Sequence, residues 1–207
     1  MANPDHVNHL KKGAIHWNQW RKKHPGISPN FNGADCRGCR LQGAQLRQSD
    51  LHDNDLLHAD LSHADLSHAD LSHASLRKTD FSNAYLPAAK LMGTDARAAN
   101  FSQANLAGAD LTYANLGTAK LIETDLSRAN LIKADLTQAT LKHANLQTAD
   151  LSGANLNGTD MSQASLQNAD LRGVSFVDAI FKEANLNGAQ LDVNCRQYAQ
   201  SGGGILD

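Results

Sequence analysis

An apolar residue recurs at every fifth position from Phe31 to Leu191, without one insertion or deletion. Of the 33 residues in this series, 30 are Leu or Phe, and the exceptions are Cys36, Ala96 and Met161. Ala stands two positions before the centre in 24 of 32 units, and Asp or Asn stands between them in 21 of 32. The unit is therefore A-[DN]-L-x-x, and such self-similarity is the signature of a repeat architecture.

A period of five fits neither an α-helix nor a flat strand. On a helix, successive leucines would lie about 140° apart around the axis. On a strand, five is an odd step, so alternate leucines would point to opposite faces. The leucines share one core only if the chain turns by about 90° at each unit, so that four units close a square coil. Stacked coils pair their backbones at the ~4.8 Å spacing of strands, and the repeat therefore predicts an all-β solenoid of about eight coils.

The tracts HADLSHADLSHADLSHASL (58–76) and GANLNGTDMSQASLQNADL (153–171) resemble pentapeptide-repeat proteins, and the resemblance extends over residues 29–193. It implies a right-handed quadrilateral parallel β-helix in which the central residue and the Ala two before it face inward, while the other three positions face solvent. The family carries no conserved catalytic site. Its few understood members bind proteins, notably DNA gyrase, by mimicking the DNA surface.

Residues 1–28 lie outside the repeat and carry the signals of a helix. Asn3-Pro4-Asp5 supplies a capping side chain, a Pro at the first helical position and an acid in the first turn. Apolar residues follow at helical spacing, Gly13 is expected to weaken or divide the helix, and Pro25 ends it. We expect an amphipathic helix that caps the first coil, because a solenoid exposes apolar interior at its ends. A partner-docking helix and a membrane-surface helix are the alternatives.

The C-terminal end departs from the repeat in a different way. Val174, Val177 and Ile180 replace small or polar residues, and Val177 and Ile180 fall at positions predicted to face outward. Residues 194–207 are expected to form a C-terminal cap and a flexible, glycine-rich tail. The protein is then a monomer, or a dimer through its C-terminal coils at Val177 and Ile180, as in related proteins.

Two groups of side chains invite a metal or redox interpretation. The histidines at 58, 63, 68 and 73 recur at intervals of five, but consecutive units lie on consecutive faces, so their imidazoles should point in four directions. Cys36 and Cys39 form a CxxC motif in which Cys36 takes a Leu position and Cys39 an Ala position. We expect both thiols to be buried as small hydrophobes, with a local disulfide as the alternative. Cys195 lies at the far end of the rod. No catalytic, cofactor-binding or metal residue is predicted.

The acidic residues do not indicate an enzyme. Fourteen Asp residues stand just before a centre, where we expect solvated polar surface with hydrogen bonds that help to define the turns. A catalytic carboxylate pair needs a cleft and burial, and a convex rod offers neither. Residues 29–193 carry 19 acids and 13 bases, far fewer negative charges than a DNA duplex of that length. Mimicry of DNA is therefore poorly supported.

One coil in the middle of the repeat, from Tyr85 to Ala99, is irregular. Ala96 replaces a core Leu, and Pro87 enters an outward position. A buried Leu-to-Ala change leaves a cavity that costs about 2–5 kcal/mol unless neighbours fill it. We expect the extra volume of Phe81 and Phe101 to fill it, with a local bend or a partner site as the alternative.

Composition narrows the range of functions further. Lys and Arg (19) nearly balance Asp and Glu (21), which argues against a nucleic-acid partner. No apolar run reaches the ~20 residues of a membrane span, and three cysteines are too few for a disulfide framework. We therefore expect a cytoplasmic, non-enzymatic structural scaffold or protein-interaction module, with no membrane partner. A DNA mimic that binds DNA gyrase or topoisomerase is the alternative.

Overall fold

A computed structural model describes residues 1–206. Helices α1 (Pro4–Lys11) and α2 (Ala14–Lys23) come first, and a solenoid begins at Asn30. Strands β1 (Asp170–Leu171) and β2 (Gln190–Leu191) pair in parallel near its end, and helix α3 (Val193–Ser201) follows them. Most of the solenoid is built from single-residue bridges rather than long strands, because the chain turns within every five residues.

Every bridge is parallel and joins residues 20 apart, for example Asp60 with Asp80 and Asp80 with Asn100. Two backbone hydrogen bonds support each step. The N–H of Leu61 donates to the carbonyl of Asp80 at 2.7 Å, and the N–H of Asp80 donates to the carbonyl of Ala59 at 3.0 Å. Four units of five residues therefore complete one layer, as the repeat predicts.

Each unit turns through one residue with a left-handed backbone. At the unit centred on Leu61, the N–H of Ala64 donates to the Leu61 carbonyl at 3.1 Å, and His63 between them has φ 58°. The same second position after the centre has positive φ throughout the solenoid, at 23 residues that are not glycine. This conformation is unfavourable for L-residues. The hydrogen bonds between stacked coils must therefore hold these non-glycine residues in it.

The core is a column of the central residues with small residues packed between them. The predicted inward positions are confirmed, because central residues such as Leu111 and Leu136 and their Ala neighbours are buried. Thr replaces Ala at four of these positions, and its hydroxyl donates to a carbonyl, as Thr124 does to Phe101 at 2.8 Å. Ser62 and Ser67 were expected at the surface but are buried, and each hydroxyl donates to the Asp two residues earlier.

The N-terminal segment forms two helices rather than one. Asn3 caps α1 through a hydrogen bond from the N–H of Asp5 at 2.9 Å, as its sequence indicates. Gly13 divides the segment, with a φ of 95° that an L-residue rarely adopts. Trp17 of α2 is fully buried and packs edge-on against Phe31, the first central residue, with ring centroids 5.1 Å apart.

The helices also bond to backbone groups that face away from the rest of the solenoid. The N–H of Asn3 donates to the carbonyl of Asn30 at 3.1 Å, and the N–H of Asn30 donates to Nδ1 of His6 at 3.0 Å. An earlier coil would have supplied these partners. The helix groups therefore stand in for an earlier coil on this edge.

Helix α2 does the same on two further edges of the first coil. The N–H of Ala14 donates to the carbonyl of Arg40 at 3.3 Å, and the indole N–H of Trp17 donates to the carbonyl of Gln45 at 2.8 Å. The N–H of Gln45 in turn donates to the Asn18 side chain at 2.8 Å.

At the other end the chain leaves the ladder for α3 and then returns to it. Tyr198 of α3 packs against Phe176, with ring centroids 5.2 Å apart. The tail was expected to be flexible, but hydrogen bonds hold Gly202–Gly204 in place. For instance, the N–H of Glu183 donates to the carbonyl of Gly203. Ile205 then bridges Asn185 in parallel, with the 20-residue separation of the rest of the ladder.

Candidate functional site

The aspartates that stand just before the centres, termed the acidic row, form hydrogen bonds with the backbone of their own turns. Each of the fourteen Asp residues just before a centre accepts a hydrogen bond at Oδ1 from the N–H two residues later. Asn residues at the same position do the same, as Asn130 does for Ile132. The predicted role in defining the turns is therefore confirmed.

Hydrogen bonds hold the pKa of several of these carboxyl groups below the usual value. The guanidinium of Arg97, 2.6 Å from Asp95, is the main cause of the lowered pKa of that carboxyl. Burial is the largest influence on Asp160 and raises its pKa, but hydrogen bonds from Ser162 and Lys142 together outweigh it. Both groups therefore favour the charged form, which suits a turn-forming acceptor and not a general acid.

Charge is divided unevenly along the chain. Residues 1–47 carry eight bases and two acids, whereas residues 48–207 carry eleven bases and nineteen acids. The first segment comprises the two helices and most of the first coil, so the solenoid has a basic end and an acidic body. A basic end is the opposite of what a DNA mimic needs, and this alternative is not favoured.

The four regularly spaced histidines, His58, His63, His68 and His73, lie on four successive turns, and each is largely exposed. Each occupies the left-handed position of its turn. Within residues 1–206 no group of three or more His, Cys, Asp or Glu side chains is arranged to hold a metal ion.

The CxxC motif lies in the first coil. Cys36 is fully buried, as predicted, whereas Cys39 is only partly buried and both are free thiols. A hydrogen bond between the two thiols, together with burial, raises the pKa of Cys36. The same hydrogen bond lowers the pKa of Cys39 to about 7, against the effect of burial and with help from Lys11. Burial raises the pKa of the distant Cys195 to about 11.

The irregular coil from Tyr85 to Ala99 keeps the ladder unbroken. Tyr85 bridges both Asp65 and Asn105, as regular positions of the ladder do. The rings of Phe81 and Phe101 stack 4.9 Å apart and within 1° of parallel.

Apolar side chains are exposed at the C-terminal end. Val177 is 63% exposed and Ile180 46% exposed, in agreement with their predicted outward positions. Val193 and Ile205 are exposed nearby in the chain. Within residues 1–206 no helix has the length and apolar character needed to cross a membrane.

Two structural features had no counterpart in the sequence interpretation. The left-handed residue of each turn could have been found from the glycines at 33, 38, 43, 93, 108, 153, 158, 173 and 188, which all share this position. A groove lined by residues such as Lys11, Asp35 and Cys39, in contrast, depends on how α1 and α2 lie over the first coil, and no local pattern indicates it.

Comparison with solved structures gives neighbours with the same repeat. HetL, a pentapeptide repeat protein involved in heterocyst differentiation regulation from Nostoc sp. PCC 7120, is 32% identical; the match covers 91% of this chain and 92% of HetL, with a TM-score of 0.38. QnrB1, a plasmid-mediated fluoroquinolone resistance protein, is 19% identical over 86% of this chain and 94% of its own, with a TM-score of 0.46. A thylakoid-lumen pentapeptide repeat protein of Arabidopsis thaliana is 28% identical over 68% and 78%, with a TM-score of 0.23. No curated protein matches this chain.

The sequence profile described as "Pentapeptide repeats" matches in eight copies between residues 30 and 192, over 30–67, 64–103, 89–128, 119–158, 129–168 and 159–192. These residues are the ones that form the ladder of bridges 20 residues apart. The chain belongs to the pentapeptide-repeat family, whose fold is the right-handed quadrilateral β-helix.

Proposed function

We propose that the protein is a non-enzymatic scaffold or protein-interaction module that binds its partner on the outward side chains of the solenoid. The main observation behind this proposal is that every Asp just before a centre accepts a hydrogen bond from the backbone of its own turn. The row therefore supplies stiffness to the backbone, and the residues left for recognition are the exposed side chains beside it. The partner is another protein, since the near balance of charge does not suit nucleic acid.

Photo-crosslinking tests this proposal face by face. A benzophenone amino acid replaces an exposed residue of the rod, Tyr85 or Tyr113, or the exposed Ile15 of α2 as a control off the rod. We expect one protein to be crosslinked in stoichiometric amount from one rod position and not from Ile15. Crosslinks from Ile15 alone, or none from any rod position, would contradict the proposal.

We propose further that residues 1–28 cap a rod of about eight coils spanning 29–193. The hydrogen bonds of Asn3, His6, Ala14 and Trp17 to the first coil support this role. Removal of residues 1–28 should then make the rod self-associate, because the edges of the first coil become unpaired. Sedimentation of the full chain and the truncated chain tests this, and a truncated chain that stays monomeric would contradict it.

The exposed Val177 and Ile180 support a dimer through the C-terminal coils. Val177→Asp with Ile180→Asp should then yield monomers in sedimentation velocity, while Tyr113→Asp, at an exposed aromatic on the rod, leaves the mass unchanged. A full chain that is already a monomer at high concentration would rule out the dimer.

We propose a cytoplasmic location, supported by three free cysteines that remain reduced in a reducing compartment. Cell fractionation with an antibody tests it, and recovery of the protein in an oxidising or membrane fraction would contradict it.

A further inference from the structure

A groove opens where the turn between α1 and α2 passes over the first coil. Its volume is about 550 Å³, and its lining includes Lys11, Lys12, Arg40, Asp35 and Cys39. This volume is in the range of pockets that hold small ligands, about 300–1,000 Å³. The groove lies at the basic end of the molecule and therefore favours a small anion.

The positive charge of the groove is not neutralised by its own acid. Asp35 pairs with Arg37 through two hydrogen bonds, at 2.9 and 2.7 Å, so these two charges offset each other. Within residues 1–206, Lys11, Lys12 and Arg40 have no carboxylate within 4 Å. Three cations are thus left to attract the carboxylates of a ligand.

The groove also borders the one open backbone edge of the first coil. Three of the four edges, at Asn30, Arg40 and Gln45, are bonded by α1 or α2. Neither the N–H nor the C=O of Asp35 has a hydrogen-bond partner in the part of the chain that the structure describes. A peptide group laid in the groove can pair with this edge as an earlier coil would.

Two thiols lie beside this edge. The turn Cys36–Cys39 is closed by the N–H of Cys39, which donates to the carbonyl of Cys36 at 3.1 Å. Cys39 is partly exposed at the groove, whereas Cys36 is fully buried behind it. The neighbouring Cys36 thiol is the largest cause of the lowered pKa of Cys39, and the charge of Lys11, which also lines the groove, lowers it further. Cys39 therefore carries thiolate character, the form that attacks disulfides.

We propose that Cys39 is a thiol–disulfide exchange site for small anionic peptide disulfides, which the groove binds through Lys11, Lys12 and the backbone edge of Asp35. The Cys39 thiolate attacks one sulfur of the ligand, and the new S–S bond forms as the ligand's own S–S bond breaks. The other half leaves as a thiolate and takes a proton from water. Cys39 is oxidised, and the leaving half is reduced. Cys36, buried behind Cys39, acts as a positioning residue.

Glutathione disulfide is the probe for the first experiment, with the intact full-length protein and mass spectrometry. We expect one glutathione adduct per chain, on the peptide that contains Cys39. Cys39→Ser should abolish the adduct, and Cys195→Ser should leave it unchanged, because Cys195 is buried at the other end. An adduct on Cys195, no adduct, or a Cys36–Cys39 disulfide in its place would overturn the proposal.

A second experiment tests the role of the groove. Lys11→Glu with Lys12→Glu should slow exchange with anionic glutathione disulfide by about tenfold and accelerate exchange with cationic cystamine. Lys22→Glu with Lys23→Glu makes the same change of charge on α2 away from the groove, and should alter either rate by less than about twofold. Equal effects of the two double variants would show that the groove does not select the ligand, and would overturn the proposal.

Cys36→Ala separates positioning from packing. Without the Cys36 thiol beside Cys39, exchange at pH 7 should slow about threefold to tenfold and recover at pH 9, where the Cys39 thiolate forms unaided. Circular dichroism and tryptophan fluorescence verify that the first coil and α2 remain folded. A slowed rate that stays slow at pH 9 would indicate a purely structural role for Cys36 and would overturn its assignment as a positioning residue.

Discussion

Nδ1 of His6 accepts the backbone N–H of Asn30 at 3.0 Å and so takes the place of a carbonyl from an earlier coil. Acceptance at Nδ1 requires an unprotonated nitrogen, so the bond exists only while His6 is neutral. The imidazole is 5% exposed and packs edge-on against Trp20, with ring centroids 5.0 Å apart. Docking of the N-terminal helices is therefore coupled to the protonation of one histidine.

The helices should undock in acid. Burial lowers the pKa of His6 below 6.5, and the charges of Arg21 and His9 lower it further, outweighing the charge of Asp5. The unfolded segment then binds a proton first, so stability is present above about pH 6.5 and is lost as pH falls below it. Tryptophan emission should shift to the red between pH 7 and pH 5, because both tryptophans lie in α2.

His6→Gln should flatten this pH profile, since Gln offers a carbonyl oxygen that does not titrate in this range. His143→Gln, at an exposed position of the rod, should leave the profile unchanged. A red shift of the same size in His6→Gln would assign the transition to other groups.

Replacement of the left-handed histidines by glycine should stabilise the rod. His63 has φ 58°, which costs an L-residue about 1–2 kcal/mol, while glycine loses about 0.5–1 kcal/mol in chain entropy. His63→Gly is therefore expected to raise the free energy of unfolding by about 0.5–1 kcal/mol, measured by denaturant titration.

Gly108 is the matched control, because it occupies the same turn position and an added Cβ would meet nothing within 4 Å. Gly108→Ala should lower the free energy of unfolding by about 1 kcal/mol through backbone strain alone. If both substitutions shift stability in the same direction, the left-handed turn is not the cause.

Ala96→Leu should destabilise the protein by about 1–3 kcal/mol although it restores the repeat. We expect the stacked rings of Phe81 and Phe101 to fill the space beside Ala96, so a larger side chain would overpack the column. Leu91→Ala, at a buried central residue of the same coil, should lower the free energy of unfolding by about 2–5 kcal/mol and gives the cost of a cavity for comparison. A higher melting temperature for Ala96→Leu would show instead that a cavity exists there.

Asp150 tests the turn-forming role of the acidic row. Its Oδ1 accepts the N–H of Ser152 at 2.9 Å, a bond that Asn can also accept. Asp150→Ala should cost about 1–2 kcal/mol, whereas Asp150→Asn should remain within about 0.5 kcal/mol. Chemical denaturation distinguishes them, and an equal loss in both variants would mean that charge, not hydrogen bonding, matters.

The five-residue spacing alone was enough to predict the core. Because neither helix nor flat strand can bury a residue at every fifth position, Leu111 and its equivalents could face one interior only if the chain turned at each unit. Local signals were equally sufficient at the start of α1, where Asn3 and Pro4 define the first turn. Such features follow from interactions between near neighbours, which a sequence displays directly.

The remaining features depend on contacts between distant residues. Nothing in the local sequence distinguishes Asp35, whose backbone edge is open, from Gln45, whose edge is covered by Trp17 and Asn18. The same holds for Gly203, which looked like part of a free tail and instead accepts a hydrogen bond from Glu183. The spacing of the repeat by itself determined the coil and its core, because every unit obeys the same short-range geometry. Only the tertiary structure decided which ends and edges are covered, because that depends on how non-repeating segments pack across 20 or more residues of chain.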